Sequence, residues 1–235
     1  IVVFMLVMYT SQMIIGAIST EKIDKTLETL LSAPVSRLSV ILAKMLAAAI
    51  VALLNAVVYM LGFTGYLSSM LSQSIGDASL GEVVGQAQTM DDVMTQLGVN
   101  MTAGSYLLVG LQMFLTILVT LSVSIILGAL VNDAKSAQSV LMPIMVLAMI
   151  PYLISMMTDI QSLSPVVRTL LYAIPFTHTF SAMSNVMFGN MTLYWIGAGY
   201  QLAVFLICIT IALRLFTSDR IFTMSINFGA KKKIQ

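Results

Sequence analysis

The feature that most constrains this chain is a series of apolar runs, each long enough to cross a lipid bilayer. Five stretches, at about 1–18, 42–66, 105–131, 139–158 and 193–216, are almost continuously apolar. A helix needs roughly 20 such residues to span the hydrocarbon core. Lipid offers no water to backbone N–H and C=O groups, so a spanning segment must pair them within a helix or a closed barrel. The runs lack the strict alternation of barrel strands, which leaves the helix. Composition agrees, since the chain is 59% hydrophobic and only 9% charged, against about 25% charged in soluble domains. The expected fold is an all-α membrane protein, a helical bundle in one transmembrane domain over residues 1–235.

Charge placement orients the bundle. Ten of the eleven Lys and Arg residues fall in three places. Segment 19–44 holds Lys22, Lys25, Arg37 and Lys44, segment 132–138 holds Lys135, and the tail holds Arg214, Arg220 and Lys231 to Lys233. The positive-inside rule assigns all three, and hence the C-terminus, to the cytoplasm. Loops 67–104 and 159–192, which contain only Arg168, then lie outside; the first of them carries Asp77, Glu82, Asp91 and Asp92. Tyr66, Tyr106, Tyr194 and Trp195 come near the outer interface, as aromatic anchors do. These features describe a multi-pass membrane protein, and the plasma (inner) membrane is its expected location. The run at 1–18 begins without the basic leader of a signal peptide. Entering from outside, it implies a preceding helix, for six spans in the full subunit.

Several chemistries are missing. The chain has no G-x-x-x-x-G-K-[ST] motif and so no P-loop for a nucleotide. One histidine, His178, and one cysteine, Cys208, cannot build a zinc site or an internal disulfide. No G-x-S-x-G accompanies His178, so an intramembrane hydrolase is a remote alternative, and the chain is not expected to be an enzyme. No cofactor, metal or nucleic-acid partner is expected. The polar groups inside the runs are neutral: Asn55, Gln112, Thr116, Thr120, Ser122 and Gln201. Asn55, Gln112, Thr116 and Thr120 are candidates for a translocation pathway. Carriers driven by protons or sodium usually keep an intramembrane acid, and none lies mid-run here. If the chain moves something uphill, the energy is therefore expected from a partner through a cytoplasmic contact.

The stretch from Thr20 to Lys44 is suited to that contact. It gathers Glu21, Lys22, Asp24, Lys25, Glu28, Arg37 and Lys44. Thr20 is positioned to cap a helix over 20–33. Ile23, Leu27, Leu30 and Leu31 form its apolar stripe, and Glu21 with Lys25 adds an i, i+4 pair of about 0.2–0.5 kcal/mol. Pro34 stops the helix, and Ser36 can cap the next. A simple headgroup anchor would be mostly basic; the mixed signs suit a protein partner, with Glu21, Lys22, Lys25, Thr26, Glu28 and Leu31 as the contact residues.

At these residues the chain resembles a known family. "EKIDKTLETLLSAPVSRLSVILAK" is similar to the E-K-x-x-x-T-x-E-x-L-L-x-x-P-V-S-R signature, closed by a later Lys, of ABC-transporter permeases of the sodium-exporter (NatB-like) kind. Glu21, Lys22, Thr26, Glu28, Leu30, Leu31, Pro34, Val35, Ser36, Arg37 and Lys44 match. "NDAKSAQSVLMPIMV" resembles the family's K-E-A-Q-x-x-x-x-P loop, with Ser136 where an acid is usual. "IPFTHTFSAMSNVMFGN" and "ALRLFTSDRIF" resemble its external I-P segment and closing element. The resemblance implies a permease subunit of an ATP-driven exporter, with sodium as its cargo, paired with a second permease subunit as a homo- or heterodimer. It implies separate cytoplasmic ATP-binding subunits, a coupling helix at 20–33, and external helices, broken at Pro165 and Pro175, that fold partly back into the outer leaflet. An exporter of amphiphilic drugs, peptides or lipids is the alternative, and a non-transporting membrane scaffold is a further one.

Overall fold

The protein is seen in a computed structural model that describes residues 2–24, 37–74, 103–131 and 134–217. These form α1 (Val2–Ile23), α2 (Arg37–Ser74), α3 (Ala103–Ala129), α4 (Ala134–Met157), a 3-10 turn (Ile160–Ser162), α5 (Pro165–Tyr172), α6 (Pro175–Met187) and α7 (Met191–Thr217). Among the described residues there is no strand. Among the described residues four helices are long and apolar enough to cross a membrane: α1, α3, α4 and α7. The fifth expected run lies in α2, whose apolar portion covers Leu42–Val58 among the described residues.

Three expected boundaries move. The first helix does not end near residue 18 and restart at Thr20. It continues to Ile23, and the Asp24 N–H bonds the Thr20 carbonyl at 2.9 Å, so Thr20 is inside a helix rather than at its N-cap. Nothing between Ala17 and Ile23 breaks a helix, and once nucleated each added residue gains one bond. Buried Ile18 also holds this turn against α3. The remainder of the expected coupling helix, with Lys25, Thr26, Glu28 and Leu31, lies outside the described residues. Likewise α2 runs past 66 to Ser74, across a stretch free of Gly and Pro. Finally, α4 starts at Ala134, which makes 134–138 its first turn rather than part of a loop.

Helix α3 is the centre of the bundle, packed on α1, α2, α4, α6 and α7. It meets α2 and α1 through Ile117, Leu121 and Ile125, together with a run of buried alanines on α2, Ala48, Ala49, Ala52 and Ala56. Lipid tails are as apolar as leucine, so membrane helices associate by close packing, which small residues permit. A second apolar cluster, including Val7, Ile15, Ile144 and Phe176, joins α1, α4 and α6. Helix α4 keeps Pro143 and Pro151 inside it.

The segment after α4 is where this bundle departs from a row of simple spans. Asp159 accepts the Gln161 N–H at 3.0 Å and caps the 3-10 turn. Pro165 and Pro175 do divide the segment, as expected, and each stands at the start of a helix, where a missing N–H costs nothing. Helix α6 then folds back into the bundle against α3, α4 and α7. It ends in a Schellman motif: Gly189 has φ 73°, its N–H bonds Val186 O at 3.3 Å, and the Asn190 N–H bonds Asn185 O at 2.7 Å. The positive φ suits glycine, and the turn sends the chain directly into α7.

Candidate transport and coupling sites

Where α6 enters the bundle, four polar side chains from three helices close on one another. Gln112 of α3 donates from Nε2 to Gln201 Oε1 of α7 at 2.9 Å. Gln201 Nε2 faces the Pro175 carbonyl at 2.7 Å, Thr179 Oγ1 at 2.8 Å and Thr116 Oγ1 at 3.2 Å. An amide NH2 has two protons, so the two shorter contacts, both to α6, are its bonds. Thr116 donates to the Gln112 carbonyl at 2.9 Å and accepts from the Thr179 hydroxyl. All four side chains are buried. Gln112 Oε1 has no hydrogen-bond partner among the described residues. A buried amide is stable where its hydrogen bonds are made, so Gln201, bonded to Pro175 and Thr179, draws α6 inward rather than leaving it on the surface.

Next to this knot, His178 fills the gap between α5, α6 and α7. Its Nε2 lies 2.9 Å from the Tyr172 carbonyl, which can only accept, so Nε2 carries the proton in that bond. The ring stacks on Tyr172 at 5.2 Å and tilts against Tyr200 at 5.0 Å. Gly197 of α7 is what lets it in: a Cβ there would stand 2.8 Å from His178 Nδ1. Burial pushes the imidazole pKa down, and the Tyr172 bond opposes this in part. The nearby Ser181 hydroxyl donates to the Thr177 and His178 carbonyls at 3.1 and 3.3 Å and not to the ring. The geometry is that of packing; it does not assemble a hydrolytic pair.

The outward faces fall into two kinds. On α2 the exposed residues include Leu42, Leu46, Ile50, Leu54, Val57 and Leu61, and on α7 Leu202, Leu206, Ile207 and Ile211. Both faces suit lipid. Helix α1 differs. Met5, Tyr9, Gln12 and Thr20 are exposed along one stripe, with Gly16 in line, at the spacings that share a helix face. A Cβ at Gly16 would meet nothing within 4 Å. An amide exposed halfway along a spanning helix is costly against hydrocarbon, so this face is unlike its neighbours.

At the end of α1 the charges are engaged within the chain. Lys22 Nζ donates to the carbonyl of Ala129, the last residue of α3, at 2.8 Å. Glu21 forms an ion pair with Lys44 near the start of α2. Of the contact residues expected from the sequence, these are the two that fall within the described residues, and both have partners inside the chain. Of the pathway candidates, Gln112 and Thr116 come together in the knot, with Thr179 and Gln201. Thr120 is buried nearby on α3 and donates to Thr116 O at 2.7 Å. Asn55 stays on α2, donating to Val51 O at 2.9 Å. Gln12 and Thr179 are additions. Gln12 was legible as an amide within the first run, whereas Thr179 carried no signal, because its role depends on how α6 folds back.

A family model described as ABC-2 family transporter protein matches residues 1–214. No curated protein and no solved structure matches the chain. The matched region takes in α1 to α6 and α7 as far as Arg214, and the chain accordingly belongs to the ABC-2 transporter family, as the membrane-spanning permease part of an ABC transporter.

Proposed function

We propose that this chain is the permease subunit of an ATP-driven exporter of the plasma (inner) membrane, and that the stripe Tyr9–Gln12–Gly16–Thr20 on α1 faces the translocation pathway between it and a second permease subunit. The observation that carries this reading is Gln12, an exposed amide halfway along an apolar helix. Such a group is stable beside water, cargo or another polar helix and not against lipid tails. Residues 25–36 would seat a separate cytoplasmic ATP-binding subunit, with the C-terminus on the same side, as the Lys and Arg distribution requires. Helix α6 would then close the pathway near the outer leaflet. In this reading Gln201 and Thr116 hold α6 in place, and the side chains that meet cargo belong to α1.

The stripe is neutral, with a phenol, an amide and a hydroxyl, which suits an amphiphilic cargo better than a bare cation. Sodium is the second reading and is favoured by the resemblance of Glu21–Lys44 to the sodium-exporter permeases. The test is ATP hydrolysis by the reconstituted complex, challenged with sodium and with a panel of amphiphiles. Stimulation by amphiphiles that Gln12→Leu abolishes is the expected result. Stimulation by sodium alone would select the second reading, and a chain that captures no ATP-binding subunit from its own host would leave only a membrane scaffold.

A further inference from the structure

The connector 25–36 departs from the end of α1, and this end is tied to two other helices. Gly128 brings α1 close to α3, since a Cβ at that position would lie 3.2 Å from Ile18 Cβ. One turn further on, Lys22 Nζ holds the Ala129 carbonyl at 2.8 Å. That carbonyl belongs to the last turn of α3, where the C=O groups have no partner within the helix and the helix dipole is negative, so a cation there is doubly favoured. Glu21 reaches the other way to Lys44 of α2, and the two side chains are only 29% and 18% exposed. Thr20, Ile23 and Asp24, by contrast, are exposed on the same final turns.

We propose that Glu21, Lys22 and Lys44 are positioning residues that lock the end of α1 to the start of α2 and the end of α3, so that a displacement of the connector moves three helices as one body. Glu21 and Lys22 are then not contacts to the ATP-binding subunit; Thr20, Ile23 and Asp24 are the residues of this end left to face it. The inference rests on the reading of the connector as the driven element. Its physical content is that a push on a loosely held helix end is absorbed by local fraying, whereas a push on a cross-braced end is passed on.

Two experiments on the full-length chain separate the lock from the function it serves. The first uses the purified chain alone and measures thermal midpoints of Glu21→Gln, Lys44→Met and the double variant as a cycle. Non-additive losses are expected, with recovery in the swap Glu21→Lys/Lys44→Glu; additive losses overturn the lock whatever the protein transports. The second uses the complex with the ATP-binding subunit. Glu21→Gln and Lys22→Met should retain that subunit at the wild-type level while transport per ATP falls about tenfold, and Lys22→Arg should recover it. Loss of the subunit from the Glu21→Gln complex, or unchanged transport per ATP, overturns the proposal. A wild-type chain that captures no ATP-binding subunit removes the proposed function and the transmission claim together, and the first experiment still decides the lock.

Discussion

Gln12 and Gln201 are the same side chain, each about halfway along an apolar helix, in opposite surroundings. Gln201 is sealed among α3, α6 and α7 with its amide bonded on both sides. Gln12 points out of the bundle beside an open glycine. In the first case the polar group is fixed by the protein and holds a helix; in the second it has no such neighbour among the described residues. A mid-span amide is therefore neither structural nor functional by type, and its neighbours make the difference.

The comparison breaks first at Gln201. Gln201→Leu strands the Gln112 amide and removes both bonds to α6. Interhelical bonds in membranes average about 0.6 kcal/mol and buried polar groups left unpaired cost about 1–3 kcal/mol. We expect a loss of about 3 kcal/mol, read as a lowered midpoint in detergent with proteolytic opening of the α5–α6 segment. Gly197→Ala comes next, because its methyl group would meet His178 at 2.8 Å; overpacking of this kind costs about 1–3 kcal/mol. Gly199→Ala, with nothing within 4 Å, should leave the midpoint unchanged and serves as the matched control.

A smaller effect is expected in acid. Burial lowers the pKa of His178 in the folded protein from its ordinary value of 6.5, so the unfolded chain takes up the proton first as pH falls. Stability contributed by the neutral ring is complete above about pH 6.5 and declines below it. The midpoint should drop more steeply with acid in the wild type than in His178→Gln, and parallel curves would show that the ring is not sheltered. The smallest effect on stability belongs to Gln12→Leu, within about 0.5 kcal/mol as for an exposed substitution, although transport should fall. Equal destabilisation by Gln12→Leu and Gln201→Leu would erase the distinction on which the proposed pathway rests.

The spans were legible because apolar length is a local property. The runs at 105–131, 139–158 and 193–216 became α3, α4 and α7 with ends within about five residues of those expected. Pro165 and Pro175 likewise announced two helix starts, since a proline acts on its own backbone. The candidate sites were legible only in part. Gln112 and Thr116 could be picked as polar groups in an apolar run, but not as partners of Gln201 and Thr179, which lie 89 and 63 residues further along the chain. Glu21 and Lys22 read as charges free for a partner until the end of α3 and the start of α2 were brought beside them.

Sequence alone determined that this chain is a helical membrane protein, which segments are long enough to cross, and which connectors carry the positive charge. Each of these follows from the free energy of placing one residue, or one short run, in lipid or water. Only the tertiary structure decided that α6 folds back into the bundle, which amides are sealed and which exposed, and that the charges at the end of α1 brace two other helices. Those outcomes depend on which helices touch, and helix contact in a membrane is selected by close packing and paired polar groups over long separations, a signal that no single stretch of sequence contains.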